Sequence, residues 1–239
     1  MSIYAGSSKI TSVASGGVVK NTINIYKCVA YYDVMDTSCW VDGSSTLYDL
    51  ASSSNLTAYG SITKGTFGSA VGWNMNAVGK YFQGSIATQA DKNITLEAWL
   101  YPAASEVSAG DRGTIIHVSG NGGAYMSWNK DNRYLSNYWY GHSPEGYHET
   151  NGPSARGAWH HWCSVWDYQQ GYLYQYVDGV VTRAATVGNQ ATGGTLNIGR
   201  ESDGRQFSGG IAIIRIYNRA LHPNEVYEHW HAEKGRFGL

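Results

Sequence analysis

Short segments in which polar and apolar residues alternate, separated by glycines, restrict most strongly what this chain can fold into. In ITLEAWLYP, Ile94 to Pro102, the even-numbered residues are apolar and would face one side of a strand, opposite to the odd-numbered residues. The sequence contains 30 glycines but only four prolines, which predicts many tight turns. We therefore expect an all-β protein with two layers of strands.

Further segments have the length and composition of strands. They are GTIIHVSG, AYMSWN, RYLSNYWY, Trp159 to Trp166, Tyr172 to Val177, GTLNIGR and GGIAIIRIYN. DYQQG joins two of them into a predicted hairpin, and Asp178-Gly179 predicts a second tight turn.

One helix is predicted at the end of the chain, in HPNEVYEHWHAEKG. Pro223 would lie near its start and Gly235 would stop it, with Val226 and Trp230 on one face and Tyr227 as a further candidate for that face. Residues 1–26 are rich in Ser, Gly and Thr and are interpreted as an N-terminal arm, followed by one domain over 27–239.

Composition excludes several classes of protein. Aromatic residues make up 13% of the chain and charged residues 15%, the opposite of a disordered or coiled-coil protein. A net charge of −1 predicts no binding to nucleic acid or to an anionic membrane. The N-terminal sequence lacks the basic-then-apolar order of a signal peptide, so we expect synthesis and retention in the cytoplasm. Cys28, Cys39 and Cys163 show no metal-binding spacing and are expected to be buried thiols.

Two adjacent histidines, His160 and His161, suggest a metal or catalytic site. Neighbours on a strand face opposite sides, so the two side chains cannot easily share one ion. We therefore predict structural histidines, no metal site and no cofactor. A calcium site stays open as an alternative, because the loop acids Asp111, Asp131 and Asp203 could meet in space.

Sugar hydrolysis requires two carboxyl groups in a set geometry. The candidate acids are Glu201 with Asp203, Glu145 with Glu149, and Asp111 in a glycine-bounded loop, while Glu97 stands among apolar residues. None of them forms a Glu-x-Asp-x-x-Glu run, so the chain is predicted not to be an enzyme.

Aromatic residues are most concentrated in NYWYGHSPEGYHETNG. The candidate binding residues there are Tyr138, Trp139, Tyr140, His142 and Tyr147. Aromatic rings stack on the apolar faces of sugars and also serve protein interfaces, so glycan contact and protein contact both remain open.

Taken together, the segments resemble the laminin G-like, concanavalin A-like jelly-roll domains over about residues 29–234. LYDLASSSN resembles the family's opening, ITLEAWLYP its FTLEAWVKP strand, and GAWHHWCSVWD with LYQYVDGVV its W-H-H-V strand and Y-V-D-G hairpin. LNIGRESDGRQFSGGIAIIRIYNRALHPNEV resembles its closing pattern. The resemblance implies an antiparallel jelly-roll sandwich of two sheets with a short C-terminal helix. WNMNAVGKYF replaces the family's F-D-G-x-x-D-Y, so the acids of that turn are missing.

The last residues, NEVYEHWHAEKGRFGL, resemble the ends of jelly-roll proteins encoded by tailed bacteriophages. That resemblance implies a virion protein made in the host cytoplasm. Our prediction is a non-enzymatic structural protein on the particle surface, a head decoration (cement) protein that contacts phage capsid or tail proteins and forms a homo-oligomer. The alternative is a glycan-binding receptor-recognition module of a tail or fibre, with a cell-surface glycan as partner. A glycoside hydrolase is the third hypothesis.

Overall fold

A computed structural model describes most of the chain. The described residues are 9–10, 23–86, 93–107, 110–119, 124–130, 135–139, 146–150, 156–186, 194–201 and 205–239, with residues 9–10, 138–139 and 146–147 described by their backbone alone.

The strands, in chain order, are β1 (Lys9–Ile10), β2 (Ile23–Asn24), β3 (Cys28–Asp33), β4 (Thr46–Leu47), β5 (Leu56–Tyr59), β6 (Lys64–Phe67), β7 (Ala70–Asn74), β8 (Tyr81–Ile86), β9 (Ile94–Pro102), β10 (Arg112–Val118), β11 (Ala124–Asn129), β12 (Leu135–Trp139), β13 (Gly146–Glu149), β14 (His160–Asp167), β15 (Tyr172–Val177), β16 (Val180–Thr186), β17 (Gly194–Ile198) and β18 (Gly209–Tyr217). They are followed by the helix α1 (Pro223–Glu233) and a 3₁₀ turn (Lys234–Phe237).

Two antiparallel sheets contain nearly all of these strands. In the described residues, the front sheet has the order β13-β12-β11-β10-β17-β8-β5-β4. The back sheet has the order β16-β15-β14-β9-β18-β7-β6, and β3 also pairs with β18. The predicted jelly-roll sandwich with a C-terminal helix is thereby confirmed.

The core lies between the two sheets and is filled by apolar residues from alternate positions. Trp128 of the front sheet stacks on Trp162 of the back sheet, with ring centroids 5.3 Å apart. Polar contacts also join the two sheets: Asn137 Oδ1 accepts hydrogen bonds from Ser164 Oγ at 2.9 Å and from Gln175 Nε2 at 2.6 Å.

The hairpin turn between β15 and β16 has the predicted chemistry. Asp178 and Gly179 have φ angles of 52° and 74°, the left-handed pair that a two-residue turn of this kind requires. The Asp178 carboxylate accepts the His161 backbone N–H at 2.9 Å and contacts His160 Nδ1 at 2.9 Å. His160 therefore contacts the residue that forms the turn.

A second apolar layer covers the outer face of the back sheet. Cys163 and Val165 of β14, with Tyr217 of β18, pack under Val226 of α1. This cover explains why almost every residue of β9 is buried, although its sequence alternates. The buried residues of α1 are Val226 and His229, while Tyr227 is 49% exposed, so Tyr227 does not belong to the packed face.

The part of the predicted N-terminal arm that is described comprises the pair β1 and β2 and the two residues 25–26. Asn24 donates a hydrogen bond to Glu225 of α1 at 3.1 Å, so the end of the arm contacts the domain. The division of the chain at residue 27 stays a prediction. Within the described ranges, no helix is both long and apolar enough to cross a membrane.

Candidate functional site

Three tyrosines alternate along β15 on the outer face of the back sheet. Tyr172, Tyr174 and Tyr176 pair with the odd-numbered residues 163–167 of β14. Tyr172 is 38% exposed and Tyr176 only 4%, so the row passes from solvent to a buried position. The rings of Tyr172 and Tyr174 lie 5.8 Å apart. The alternation seen in the sequence thus places an aromatic surface beside the helix.

The segment between β18 and α1 faces these tyrosines. Thr95 of β9 holds it in place, because its Oγ1 donates to the Arg219 carbonyl at 2.8 Å and accepts the Leu221 N–H at 3.1 Å. The Leu221 side chain is consequently buried against the sheet.

A capping box fixes the start of α1. His222 Nδ1 accepts the Asn224 N–H at 3.3 Å, and the Glu225 carboxylate accepts the His222 N–H at 2.9 Å. Pro223 occupies the first turn, where its missing N–H costs nothing. The helix start is therefore rigid.

Between the tyrosines and this segment lies a pocket of about 470 Å³, which we call the tyrosine pocket. Its more apolar lining residues are Val165, Tyr176, Ala220 and Leu221. Its other lining residues are Asp167, Gln170, Tyr174, Arg219, His222, Pro223 and Glu225. The volume and the mixture of apolar and polar lining fit a site for a small organic ligand.

Arg219 and Glu225 form a closely coupled pair on this pocket. Arg219 Nη1 and Nη2 bind the two Glu225 oxygens at 2.6 and 2.8 Å, and Arg219 Nε donates to the Tyr26 carbonyl at 2.9 Å. Burial alone would raise the pKa of Glu225, but the hydrogen bonds from Arg219 and from the His222 backbone outweigh burial and lower it. Glu225 therefore stays ionised, and the pair is locked.

Other polar groups of the pocket retain bonding capacity. The hydroxyls of Tyr174 and Tyr176 and the Gln170 amide form no hydrogen bond within the described part of the chain. Asp167 uses Oδ1 to accept the Gln170 N–H at 3.1 Å, which leaves Oδ2 available. Burial, followed by the nearby Cys163 and Tyr174, raises the pKa of Tyr176 to about 12, so its hydroxyl remains a donor.

Of the five candidate residues predicted from sequence, Tyr138, Trp139 and Tyr147 lie on strands of the front sheet. Tyr138 pairs with Tyr147 across β12 and β13, and Trp139 pairs with Gly146. Tyr140 and His142 lie outside the described residues. The prediction that these aromatics bind a glycan or a protein stays a prediction.

Backbone register places Tyr138 and Tyr147 in a row that crosses the front sheet. The row comprises Thr57, Gln83, Asn197, His117, Tyr125, Tyr138 and Tyr147, each paired with the next. Gln83 Nε2 donates to Asn197 Oδ1 at 2.7 Å, and Tyr125 is 1% exposed. Burial lowers the pKa of His117, although Glu201 opposes that change.

The fully buried Glu97 is surrounded by one arginine and two histidines. Its Oε1 lies 2.7 Å from His161 Nε2 and 3.3 Å from Arg215 Nη1, and His229 Nδ1 lies 3.1 Å from both of its oxygens. Burial alone would raise the pKa of Glu97, but His229 and Arg215 outweigh it and hold that pKa well below the ordinary value. His161 is therefore one of the partners of the buried Glu97.

The described residues contain no group of three His, Cys, Asp or Glu side chains able to hold a metal ion. Burial raises the pKa of Cys163 well above its ordinary value, so its thiol stays protonated beside His161. All three cysteines are free and buried, as predicted. Of the three acids considered for calcium, Asp111 is paired with Arg112, and Asp131 and Asp203 lie outside the described residues.

Sequence reasoning did not identify the tyrosine pocket. It predicted a strand at Tyr172 to Val177, placed Arg219 in a segment that resembles the family's closing pattern, and placed Glu225 in the C-terminal helix. The spacing of His222 and Glu225, which is that of a capping box, was the available signal that this segment is fixed.

Solved structures similar to this chain include the receptor binding domain of botulinum neurotoxin D, with a TM-score of 0.65, 11% identity, and coverage of 87% of this chain and 53% of that one. The binding domain of Paraclostridial Mosquitocidal Protein 1 matches with a TM-score of 0.63 and 13% identity, over 85% of this chain and 52% of that one. Trypanosoma rangeli sialidase in complex with sialic acid matches with a TM-score of 0.61 and 16% identity, over 88% and 33% of the two chains. At these identities the likeness shows the fold alone, and this chain spans about half the length of the two binding domains.

A search of curated proteins finds no significant match. A family pattern does match residues 76–227, and its description is the concanavalin A-like lectin/glucanases superfamily, laminin G type. The matched residues make up more than half of the sequence and contain most strands of both sheets. They also contain every lining residue of the tyrosine pocket. The chain therefore belongs to the laminin G-like branch of the concanavalin A-like lectin/glucanase superfamily.

Proposed function

We propose that this chain is a non-catalytic carbohydrate-binding domain that receives a sugar in the tyrosine pocket. The observation that carries the proposal is that one cavity is lined by the half-buried Tyr174, the buried Tyr176 and polar groups that are not committed to other bonds. A pyranose presents C–H groups on its faces and hydroxyls at its edge. Tyr174 and Tyr176 match the faces, and their hydroxyls, Gln170 and Asp167 match the edge.

Rigidity of the pocket also supports binding. Its floor belongs to β14 and β15 of the back sheet, and its far wall is fixed by Thr95 and by the capping box of α1. A ligand would therefore enter a cavity that is already formed, and little chain entropy would be lost on binding.

The carboxylates of the pocket argue against sugar cleavage. A glycosidase needs one carboxylic acid with a raised pKa and a second free carboxylate. The pocket is lined by Asp167 and Glu225, and Glu225 is held ionised by Arg219 and by the His222 backbone. Glu225 therefore lacks the proton that a catalytic acid must donate.

Similarity to the receptor binding domain of botulinum neurotoxin D and to the binding domain of Paraclostridial Mosquitocidal Protein 1 agrees with a binding role but reaches this chain only through the fold. Our proposal for its location is the surface of a phage particle, on a tail or fibre, where a sugar pocket could meet the host cell. Head decoration and homo-oligomerisation stay predictions. Labelling of purified particles with an antibody, followed by electron microscopy, distinguishes tail from head.

The test of sugar binding is a glycan array that presents neutral, amino and acidic glycans, followed by titration calorimetry on each hit. We expect binding by the unmodified chain and an affinity about tenfold lower for Tyr174→Ala, because an aromatic contact is lost. Tyr48→Ala is the matched control, since Tyr48 is 50% exposed and does not line the pocket. An array without hits, or equal affinity of Tyr174→Ala and the unmodified chain, would refute the proposal.

A further inference from the structure

Charge is distributed unevenly around the tyrosine pocket. Its lining includes two carboxylates, Asp167 and Glu225, and one guanidinium, Arg219. Both oxygens of Glu225 bind Arg219, so the charges of that pair cancel within the wall. Asp167 remains as the uncompensated charge among these three groups.

The start of α1 would ordinarily attract an anion, because the first N–H groups of a helix are unpaired. Here these groups are already used. Pro223 has no N–H, the Asn224 N–H is bound by His222 Nδ1, and the Glu225 and Val226 N–H groups are bound by the His222 carbonyl at 2.9 and 3.2 Å. The helix start therefore offers no free N–H to a carboxylate on a ligand.

Asp167 lies beside aromatic rings. It pairs with Tyr172 across the strands, and the Tyr172 ring lies against that of Tyr174. A carboxylate beside aromatic rings attracts cations, because the carboxylate is negatively charged and the ring faces carry a negative electrostatic potential. Its free Oδ2 can also accept a hydrogen bond from a hydroxyl or an ammonium group.

We infer that the tyrosine pocket selects sugars without a carboxylate and prefers an amino sugar to its neutral counterpart, with Asp167 as the residue that determines this preference. The inference rests on the proposed function and adds the class of sugar to it.

The experiment measures the affinity of the chain for three tetrasaccharide probes of the same backbone, which carry hydroxyls only, amino groups, or carboxylates. We expect the amino probe to bind on the order of fivefold more tightly than the neutral probe, and the acidic probe to bind more weakly by a similar factor. Raising the ionic strength should reduce both differences, because salt screens exposed charges.

Asp167→Asn keeps the Oδ1 acceptor for the Gln170 N–H, removes the charge, and replaces the free Oδ2 acceptor by an amide N–H donor. We expect the ratio of amino to neutral affinity to fall to about one in this variant. Asp36→Asn is the matched control, because the exposed Asp36 does not line the pocket and should leave the ratio unchanged.

The outcomes are distinguishable. The inference would be overturned if the acidic probe bound as tightly as the neutral probe or more tightly. It would also be overturned if the ratio of amino to neutral affinity were unchanged in Asp167→Asn. Neither result would contradict sugar binding itself. If none of the three probes binds although the array has yielded hits, the assigned class of sugar is wrong. If neither the array nor the probes show binding, the proposed function fails and the inference fails with it.

Discussion

Replacement of Arg215 by Met tests whether the buried charges under α1 hold the domain together. Arg215 and Glu97 are both fully buried, and Arg215 also binds Glu233 of the helix. Removal of the guanidinium leaves the Glu97 charge buried with only the two histidines as partners. Breaking a buried pair in this way costs about 3–5 kcal/mol of the free energy of unfolding, and we expect Arg215→Met to fall at the lower end because the histidines remain.

The assay is guanidinium chloride unfolding followed by tryptophan fluorescence, extrapolated to water. Arg205→Met is the control, since the Arg205 side chain is 34% exposed and its pair with Glu201 should contribute less than about 1 kcal/mol. A double variant, Glu97→Gln with Arg215→Met, should lose at least about 1 kcal/mol less than the sum of the two single variants. A loss below about 1 kcal/mol for Arg215→Met would refute the view that the buried charges stabilise this face.

Two further predictions concern pH and backbone. Because the pKa of Glu97 is lowered on folding, its contribution to stability is complete above about pH 4.5 and is lost as the pH falls further. Burial raises the pKa of Cys28 and Cys39 from 9.0 to about 12, so their contribution is complete below pH 9 and is lost as the pH rises. The free energy of unfolding, measured with denaturant from pH 3 to about 10.5, should therefore be constant in the middle of this range and fall at both ends. A free energy of unfolding that rises below pH 4.5 would contradict the lowered pKa of Glu97. Gly209→Ala should lower the free energy of unfolding by at least about 2 kcal/mol in the same assay. The reason is that Gly209 has a φ of 142° and that a Cβ at this position would lie 2.0 Å from the Tyr101 carbonyl oxygen of β9. An unchanged midpoint of denaturant unfolding would contradict this prediction.

Local patterns in the sequence were sufficient to predict many of the strands. Alternation in ITLEAWLYP depends only on neighbouring residues, and β9 spans Ile94–Pro102 as predicted. The turn at Asp178-Gly179 and the helix start at Pro223 were likewise local signals. Whether each face of a strand is covered depends on elements that are distant in the sequence. The burial of both faces of β9 was therefore not expected.

The candidate site depends on which strands become neighbours, and a single sequence does not contain that information. Glu97 meets Arg215 across 118 positions of sequence because β9 and β18 pair at the centre of the back sheet. The tyrosine pocket likewise joins β14 and β15 to a segment that begins about 40 residues later. In the sequence, each of these residues belongs only to a strand, a turn or a helix. The order in which the strands pair is what brings them together into a buried ion pair or a pocket.

The two walls of the tyrosine pocket differ in how freely they could vary. One wall, at Arg219 and Glu225, is tied to the helix start and the sheet, so most changes there would disturb folding. The other wall includes Asp167 and Gln170 at the exposed turn between β14 and β15, held mainly by backbone N–H bonds such as that of Tyr168 to Asn93. Substitutions in this turn would therefore change ligand preference with little loss of stability. The turn is the part of the pocket best suited to variation in a designed library of binding domains.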